Sequence, residues 1–148
     1  MLYGKVLLSA LILARAVYTD MKTGTIENRL TGAGFAAGLL MNLMEGGGQG
    51  FWESLRASVL MLASLFILFL LRGLGAGDIK LLAAVTAFFP RMAVRLAVAS
   101  FLAGAVLAAG KMLYRRLRKG RLYVRGETVH FSVAIAAGTL FACMGEVL

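Results

Sequence analysis

Long uncharged apolar runs are the feature that most limits what this chain can fold into. Three of them, Ala57–Leu71, Met92–Gly110 and Phe131–Leu148, carry few or no charges through their centres. Of the 148 residues 60% are hydrophobic, and the mean hydropathy is +0.84, whereas a soluble domain is closer to half apolar. A bilayer span needs about 20 mostly apolar residues. The sequence therefore predicts an all-α, multi-pass membrane protein.

Six spans are predicted, and together they form a single transmembrane domain over residues 1–148. The fourth span is short and the second is marginal, so tilt or protein surroundings must complete them. Merging or dropping the fourth span would leave five. The first segment is similar to a signal peptide, but Arg15 interrupts its end, so we expect a mature helix. The predicted spans are Leu2–Val17, Leu30–Met44, Leu55–Leu71, Ile79–Phe89, Met92–Leu113 and Val129–Val147.

The basic residues favour one orientation of these spans. Seven of the sixteen lysines and arginines lie between Lys111 and Arg125. With six spans, twelve of the sixteen fall on the side of that loop, and basic loops are retained in the cytoplasm. We therefore expect both termini outside and a cytoplasmic Lys111–Arg125 loop that binds anionic lipid. Because no soluble domain carries the net charge of +9, we expect no nucleic-acid partner.

Asp20 and Asp78 are the two aspartates of the chain, and each lies where an apolar segment meets a short polar loop. In the six-span topology both lie at the cytoplasmic boundary. An ionisable residue in that position is costly and usually marks function. Two carboxylates that meet can share one proton and activate a water molecule. Aspartate also serves as a helix cap or a turn residue, which is the structural alternative.

Glycines predict two further features. Gly73, Gly75 and Gly77 precede Asp78, so the backbone there can take positive φ angles and approach a substrate strand closely. On the second and fifth spans, small residues predict close contacts between helices. Gly34 and Gly38 on the second span have the G-x-x-x-G spacing, which suits internal packing or a dimer face. The four glycines expected at helix contacts are Gly32, Gly34, Gly38 and Gly104.

Other catalytic chemistries lack the residues they need. The sequence has no H-E-x-x-H motif, and its single histidine, His130, cannot form a two-histidine zinc site. Ser132 lies close to His130 but has no G-x-S-x-G elbow around it. Cys143 lies in an apolar segment and is expected to be a buried packing residue. We therefore expect no metal and no cofactor, and we interpret His130 as an interfacial residue that caps the last helix.

The segments around both aspartates resemble one known family. Gly75–Lys80 (GAGDIK) is similar to the G-x-G-D-x-K signature of the prepilin peptidases. Asp20–Asn28 (DMKTGTIEN) resembles their first catalytic segment, in which I-P-N begins six residues after the aspartate. Val129–Gly138 resembles the last helix of the family, and six spans are also typical of it. Glu27 and His130 stand where the family usually has proline, which affects the fit of the substrate more than the chemistry.

The resemblance implies a membrane aspartic endopeptidase. It would remove the leader of type IV prepilin-like or pseudopilin precursors, after a glycine, at the cytoplasmic face of a prokaryotic plasma membrane. The chain lacks the cysteine-rich segment of members that also methylate their product, so the resemblance implies the short, core-only form. The implied catalytic residues are Asp20 and Asp78, and the implied substrate-binding or motif residues are Gly75, Gly77, Lys80, Ile26 and Asn28.

Two alternatives remain from the residues alone. One is a small proton- or ion-coupled transporter in which the aspartates relay charge, although relay carboxylates are expected nearer the middle of the bilayer. The other is a non-catalytic scaffold of a secretion system, with the aspartates as caps. Lys80 likewise has a second interpretation as a positively charged anchor on the cytoplasmic side.

Overall fold

The computed structural model describes residues 2–119 and 131–147, and this part of the chain contains helices and no strand. The all-α prediction is therefore confirmed for the described residues. His130 lies outside them, so its expected role as a cap stays a prediction. The helices are α1 (Leu2–Thr23), α2 (Asn28–Leu70), α3 (Ala76–Phe88), α4 (Ala93–Lys119) and α5 (Phe131–Val147), with a 3-10 turn at Pro90–Met92.

Three helical segments in the described ranges are long and apolar enough to cross a membrane. They are Leu2–Thr23, Asn28–Leu70 and Pro90–Tyr114, and Phe131–Met144 forms a shorter apolar helix. These segments agree with the prediction of a multi-pass membrane protein. The number of spans and the sides on which the termini lie stay predictions.

The long helix α2 folds back on itself at Gly47, which has φ 58° and ψ −146°. Glycine tolerates this left-handed φ because it has no Cβ. Asn42 lies before Gly47 and Ser54 after it, yet both donate hydrogen bonds to the carbonyl oxygen of Ala87, at 2.7 and 2.6 Å. The two halves of α2, residues 28–46 and 48–70, therefore lie side by side and correspond to the predicted second and third spans. Residues 45–54, which lie between the predicted second and third spans, are helical apart from Gly47.

Helix α3 forms the centre of the bundle. Residues 79 and 81–89 are all buried. Its 13 residues rise about 20 Å, less than the roughly 30 Å of a hydrocarbon core. The other helices surround α3, so it needs no full-length contact with lipid. Protein surroundings thus explain why the predicted fourth span is short.

Three of the four glycines expected at helix contacts lie there. A Cβ on Gly38 would lie 2.8 Å from the backbone of Ala87, and one on Gly34 would meet Ile12 at 3.3 Å. Internal packing of the G-x-x-x-G pair is therefore confirmed over the dimer alternative. Gly104 packs against the Phe131 ring in the same way. The expectation for Gly32 is wrong, because nothing lies within 4 Å of its Cβ position.

A buried polar cluster ties the halves of the bundle together at the C-terminal end of α3. The Lys5 ammonium donates to Asn42 Oδ1 at 2.8 Å and forms an ion pair with Glu45. The Asn42 amide in turn donates to the carbonyl oxygens of Ala87 and Phe88. Lys5 is only 7% exposed, and a buried charge of this kind requires such partners. The cluster fixes α1, α2 and α3 to one another at this end.

The remaining predictions concern α4 and α5. Cys143 is buried in the core, as expected. Residues 111–119 of the predicted basic loop form the end of α4, which extends to Lys119 instead of ending at Leu113. Residues 120–125 lie outside the described ranges, so the binding of anionic lipid to Lys111–Arg125 stays a prediction.

Candidate active site

Asp20 lies on the buried face of α1. The helix extends to Thr23 instead of ending at Val17, so Asp20 belongs to its last turns and not to the polar loop in which we expected it. Gly24 ends the helix with φ 67°, and its N–H donates to the Asp20 carbonyl oxygen at 2.8 Å. A left-handed glycine is a common way to end a helix. The carboxylate of Asp20 is thus held on a rigid helix that is packed against the bundle.

Two contacts fix the loop after α1 to the beginning of α3. The Ile26 side chain packs on Gly77, where an added Cβ would lie 3.2 Å from the Ile26 Cβ. Lys80 Nζ donates a hydrogen bond to Asn28 Oδ1 at 3.0 Å. These four motif residues therefore connect the segments that carry the two aspartates. The bond joins Lys80 to a side chain on the other side of the site, in addition to either of its two interpretations.

Asp78 lies in the first turn of α3 and is half-buried. Its Oδ2 lies 3.0 Å from the position that a Cβ on Gly75 would occupy. Gly75 has φ −73° and ψ 147°, and the positive-φ glycines of the described residues are Gly24 and Gly47. The glycines before Asp78 therefore do not adopt the positive φ angles that glycine allows. Glycine is needed at position 75 because a side chain would crowd the carboxylate.

In the loop between α2 and α3, Arg72 has a positive φ of 57°. The end of α2 explains this value, because the Arg72 N–H donates to the Phe69 carbonyl oxygen and the Gly73 N–H to that of Leu68, both at 2.9 Å. This is the Schellman pattern, in which glycine usually takes the left-handed position. An arginine is strained there. Its exposed side chain lines the cavity beside the aspartates.

Two cavities open between these elements, and both aspartates line both of them. The larger has a volume of about 750 Å³, with an apolar wall of Phe69, Leu70, Leu74 and Phe131. The smaller has a volume of about 410 Å³. The structure thus brings the two sequence motifs to one site. The smaller cavity is lined by all seven residues selected from the sequence, namely Asp20, Asp78, Gly75, Gly77, Lys80, Ile26 and Asn28.

Ser132 also contacts this site, and the sequence did not indicate this contact. Its hydroxyl donates to Asp20 Oδ2 at 2.5 Å, and both residues are buried. From the sequence, Ser132 is a candidate only as a nucleophile, and the residues around it do not suit that role. The contact spans 112 positions of the chain, and no local pattern predicts a pairing across such a separation. Within the described ranges, no three histidine, cysteine, aspartate or glutamate side chains form a group that could hold a metal ion.

The fold and the site define a multi-pass membrane protein in which two carboxylates line shared cavities beside a glycine-rich loop. Residues 6–110, more than half of the chain, match the type IV leader peptidase family. The chain belongs to this family and is therefore a protease. Comparison with the curated proteins and with the solved structures gives no match.

Proposed function

We propose that the protein is an aspartic endopeptidase that removes the leader from type IV prepilin-like precursors, with Asp20 and Asp78 as the catalytic pair. The observation that carries the proposal is that both carboxylates line the same two cavities. Membership of a leader peptidase family favours this function over the transporter and scaffold alternatives.

The chemistry needs one protonated and one ionised carboxyl group. The ionised carboxylate accepts a proton from water while the water oxygen bonds to the scissile carbonyl carbon, and the protonated partner gives its proton to the carbonyl oxygen. When the tetrahedral intermediate collapses, the carbonyl oxygen returns that proton and the C–N bond breaks. The proton taken from water then passes to the leaving nitrogen. Both carboxyl groups end in their starting states, so no metal or cofactor is required.

The shape of the larger cavity suits a precursor whose cleavage site lies beside an apolar helix. Its apolar wall would contact the apolar segment that follows the leader. Gly75 has no side chain in front of Asp78, so an extended substrate backbone could reach the carboxylate from that side. The contact of Ile26 with Gly77 and the Lys80–Asn28 hydrogen bond would hold the loop that frames the cavity.

We further propose six spans, with both termini outside and the site at the cytoplasmic face of a prokaryotic plasma membrane. Dividing α2 at Gly47 gives six helical segments in the described residues, one for each predicted span. Lys5 and Arg91, two of the four cations expected outside, line one cavity at the end of α3 away from the aspartates. Lys80 and Arg72, expected inside, line cavities beside the aspartates. This separation supports the orientation.

The test is co-expression with a prepilin-like precursor whose leader ends in glycine, followed by measurement of leader removal. Asp20→Asn and Asp78→Asn should each lower the cleavage rate by at least about 100-fold, because each removes a proton-transfer group. Glu27→Gln is the matched control, since Glu27 is an exposed carboxylate in the segment between α1 and α2, and it should cleave at the normal rate. Membrane insertion should be unchanged in all three. Full processing by either asparagine variant would contradict the proposal.

A further inference from the structure

The hydrogen bond from Ser132 to Asp20 joins the first aspartate segment to α5, and Ser132 is not among the seven site residues selected from the sequence. We propose that Ser132 is a positioning residue that holds the Asp20 carboxylate in its productive orientation. The inference rests on the proposed function, because it assigns Ser132 a role only if Asp20 is catalytic.

The contact has the geometry of a strong hydrogen bond. The distance from Ser132 Oγ to Asp20 Oδ2 is 2.5 Å, within the range of short O–H···O⁻ bonds. Ser132 is 0% exposed and Asp20 8%, so water does not readily replace the hydroxyl. A hydroxyl has one proton to donate, and here it is directed at a single carboxylate oxygen. That bond restricts rotation of the carboxylate about its Cβ–Cγ bond and so fixes the direction of the other oxygen.

The helix that carries Ser132 is itself tightly held. Beside Ser132, the Phe131 ring packs against Gly104 of α4, where an added Cβ would lie 2.6 Å from the ring. Further along α5, a Cβ on Gly138 would lie 2.5 Å from the backbone nitrogen of Ser100. These contacts leave α5 little freedom to move relative to α4. The hydroxyl of Ser132 is therefore a fixed reference point for the carboxylate.

Ser132 has a hydrogen-bond partner, and in this it differs from two other buried serines. Ser58 and Ser100 are 1% and 0% exposed, and their hydroxyls have no hydrogen-bond partner among the described residues. Among the described residues, the charged groups that share cavities with Asp20 are Asp78, Arg72 and Lys80. Ser132 is thus a buried neutral donor placed on Asp20, and burial of a serine in this bundle does not by itself produce such a bond.

The test measures kcat and KM separately in vesicles of phosphatidylethanolamine and phosphatidylglycerol. The probe is a labelled precursor peptide with a leader that ends in glycine and an apolar segment of about 20 residues. Ser132→Ala should lower kcat by about 10- to 100-fold, the scale of a displaced catalytic group, with KM changed by less than about 2-fold. Ser100→Ala is the matched control, since it removes a buried hydroxyl that has no described partner, and both constants should stay at the wild-type values.

A second pair of variants separates the hydroxyl from packing. Ser132→Thr and Ser132→Val introduce side chains of nearly equal shape, so any cost of bulk is common to both. The threonine variant should exceed the valine variant in kcat by about 10-fold or more. Ser132→Cys, whose thiol is a weaker donor, should lie between wild type and Ser132→Ala. Far-UV circular dichroism checks that each variant is folded.

The outcomes distinguish this inference from the proposed function. If wild type cleaves the peptide and Asp20→Asn does not, but Ser132→Ala retains the wild-type kcat, the positioning role is wrong and the proposed function stands. A loss confined to KM, or equal kcat values for the threonine and valine variants, would also overturn the positioning role. If Asp20→Asn cleaves normally, the proposed function fails and the inference fails with it.

Discussion

Gly38 makes the closest contact between α2 and the central helix, and replacing it with alanine tests the packing of the whole bundle. The added Cβ would lie 2.8 Å from the Ala87 carbonyl carbon and Cβ and 2.9 Å from the Phe88 nitrogen. Contacts below 3.0 Å are essentially never found for real Cβ atoms, and ordinary contact begins at 3.4 Å. The opposing atoms include backbone of a buried helix, which cannot rotate away as a side chain can. Helices α2 and α3 must therefore move apart by several tenths of an ångström.

The size of the effect follows from this geometry. Forcing an extra methyl group into a packed core costs about 1–3 kcal/mol. The separation would also stretch the hydrogen bond from Asn42 to Ala87, which is 2.7 Å long. Gly32 provides the matched control on the same half of α2, because it is exposed and nothing lies within 4 Å of its Cβ position. Alanine there should stabilise the helix by about 0.5–1 kcal/mol.

The assay is reversible unfolding of the purified protein by SDS in mixed micelles, followed by far-UV circular dichroism. The free energy of unfolding of Gly38→Ala should fall below that of Gly32→Ala by about 1–3 kcal/mol, which is the overpacking cost, because both variants share the helix gain. Equal stability of the two variants would refute the close approach of α2 to α3. A less stable Gly32→Ala would refute the assignment of that glycine to open space.

Two further predictions concern the ends of the bundle. Arg72→Gly should raise the free energy of unfolding by about 1 kcal/mol, because it relieves the left-handed strain of an arginine. Leu71→Gly, at φ −77°, should instead lower the free energy of unfolding. Chemical unfolding of both variants checks the difference. Lys5→Met should cost about 1–3 kcal/mol because it leaves the buried Asn42 oxygen without its donor, whereas the exposed Lys22→Met should change stability by less than about 0.5 kcal/mol. Thermal unfolding checks the second pair, and equal effects at Lys5 and Lys22 would contradict the buried cluster.

The sequence predicted the helical segments well because their apolar lengths reflect burial in protein or lipid. It was less accurate about where they end. The first span was expected to stop at Val17, where the apolar run stops, but α1 continues to Thr23. A helix ends where its last carbonyl groups find other donors, and Gly24 provides one of these. Hydropathy does not report that chemistry, so Asp20 was expected in a loop.

The candidate site was predictable to the extent that its residues lie in motifs. The D-x5-I-x-N and G-x-G-D-x-K segments contained the seven residues selected from the sequence, and each of the seven lines the smaller cavity. The physical reason for glycine at positions 75 and 77 was not predictable from the motifs. Gly75 and Gly77 leave room for Asp78 and Ile26, which is a property of packing and not of backbone angles. The contact of Ser132 with Asp20 was not predicted, because it depends on how α5 packs on α1.

The Asp20–Ser132 hydrogen bond also has a consequence for biosynthesis. The two residues lie 112 positions apart, so the ribosome makes both aspartates and four of the five helices before it reaches the serine. A nascent chain that has inserted α1 to α4 therefore contains Asp20 without its buried donor. The surroundings of this carboxylate become complete only when α5 has entered the bundle. The order of synthesis thus makes α5 the element that completes the site.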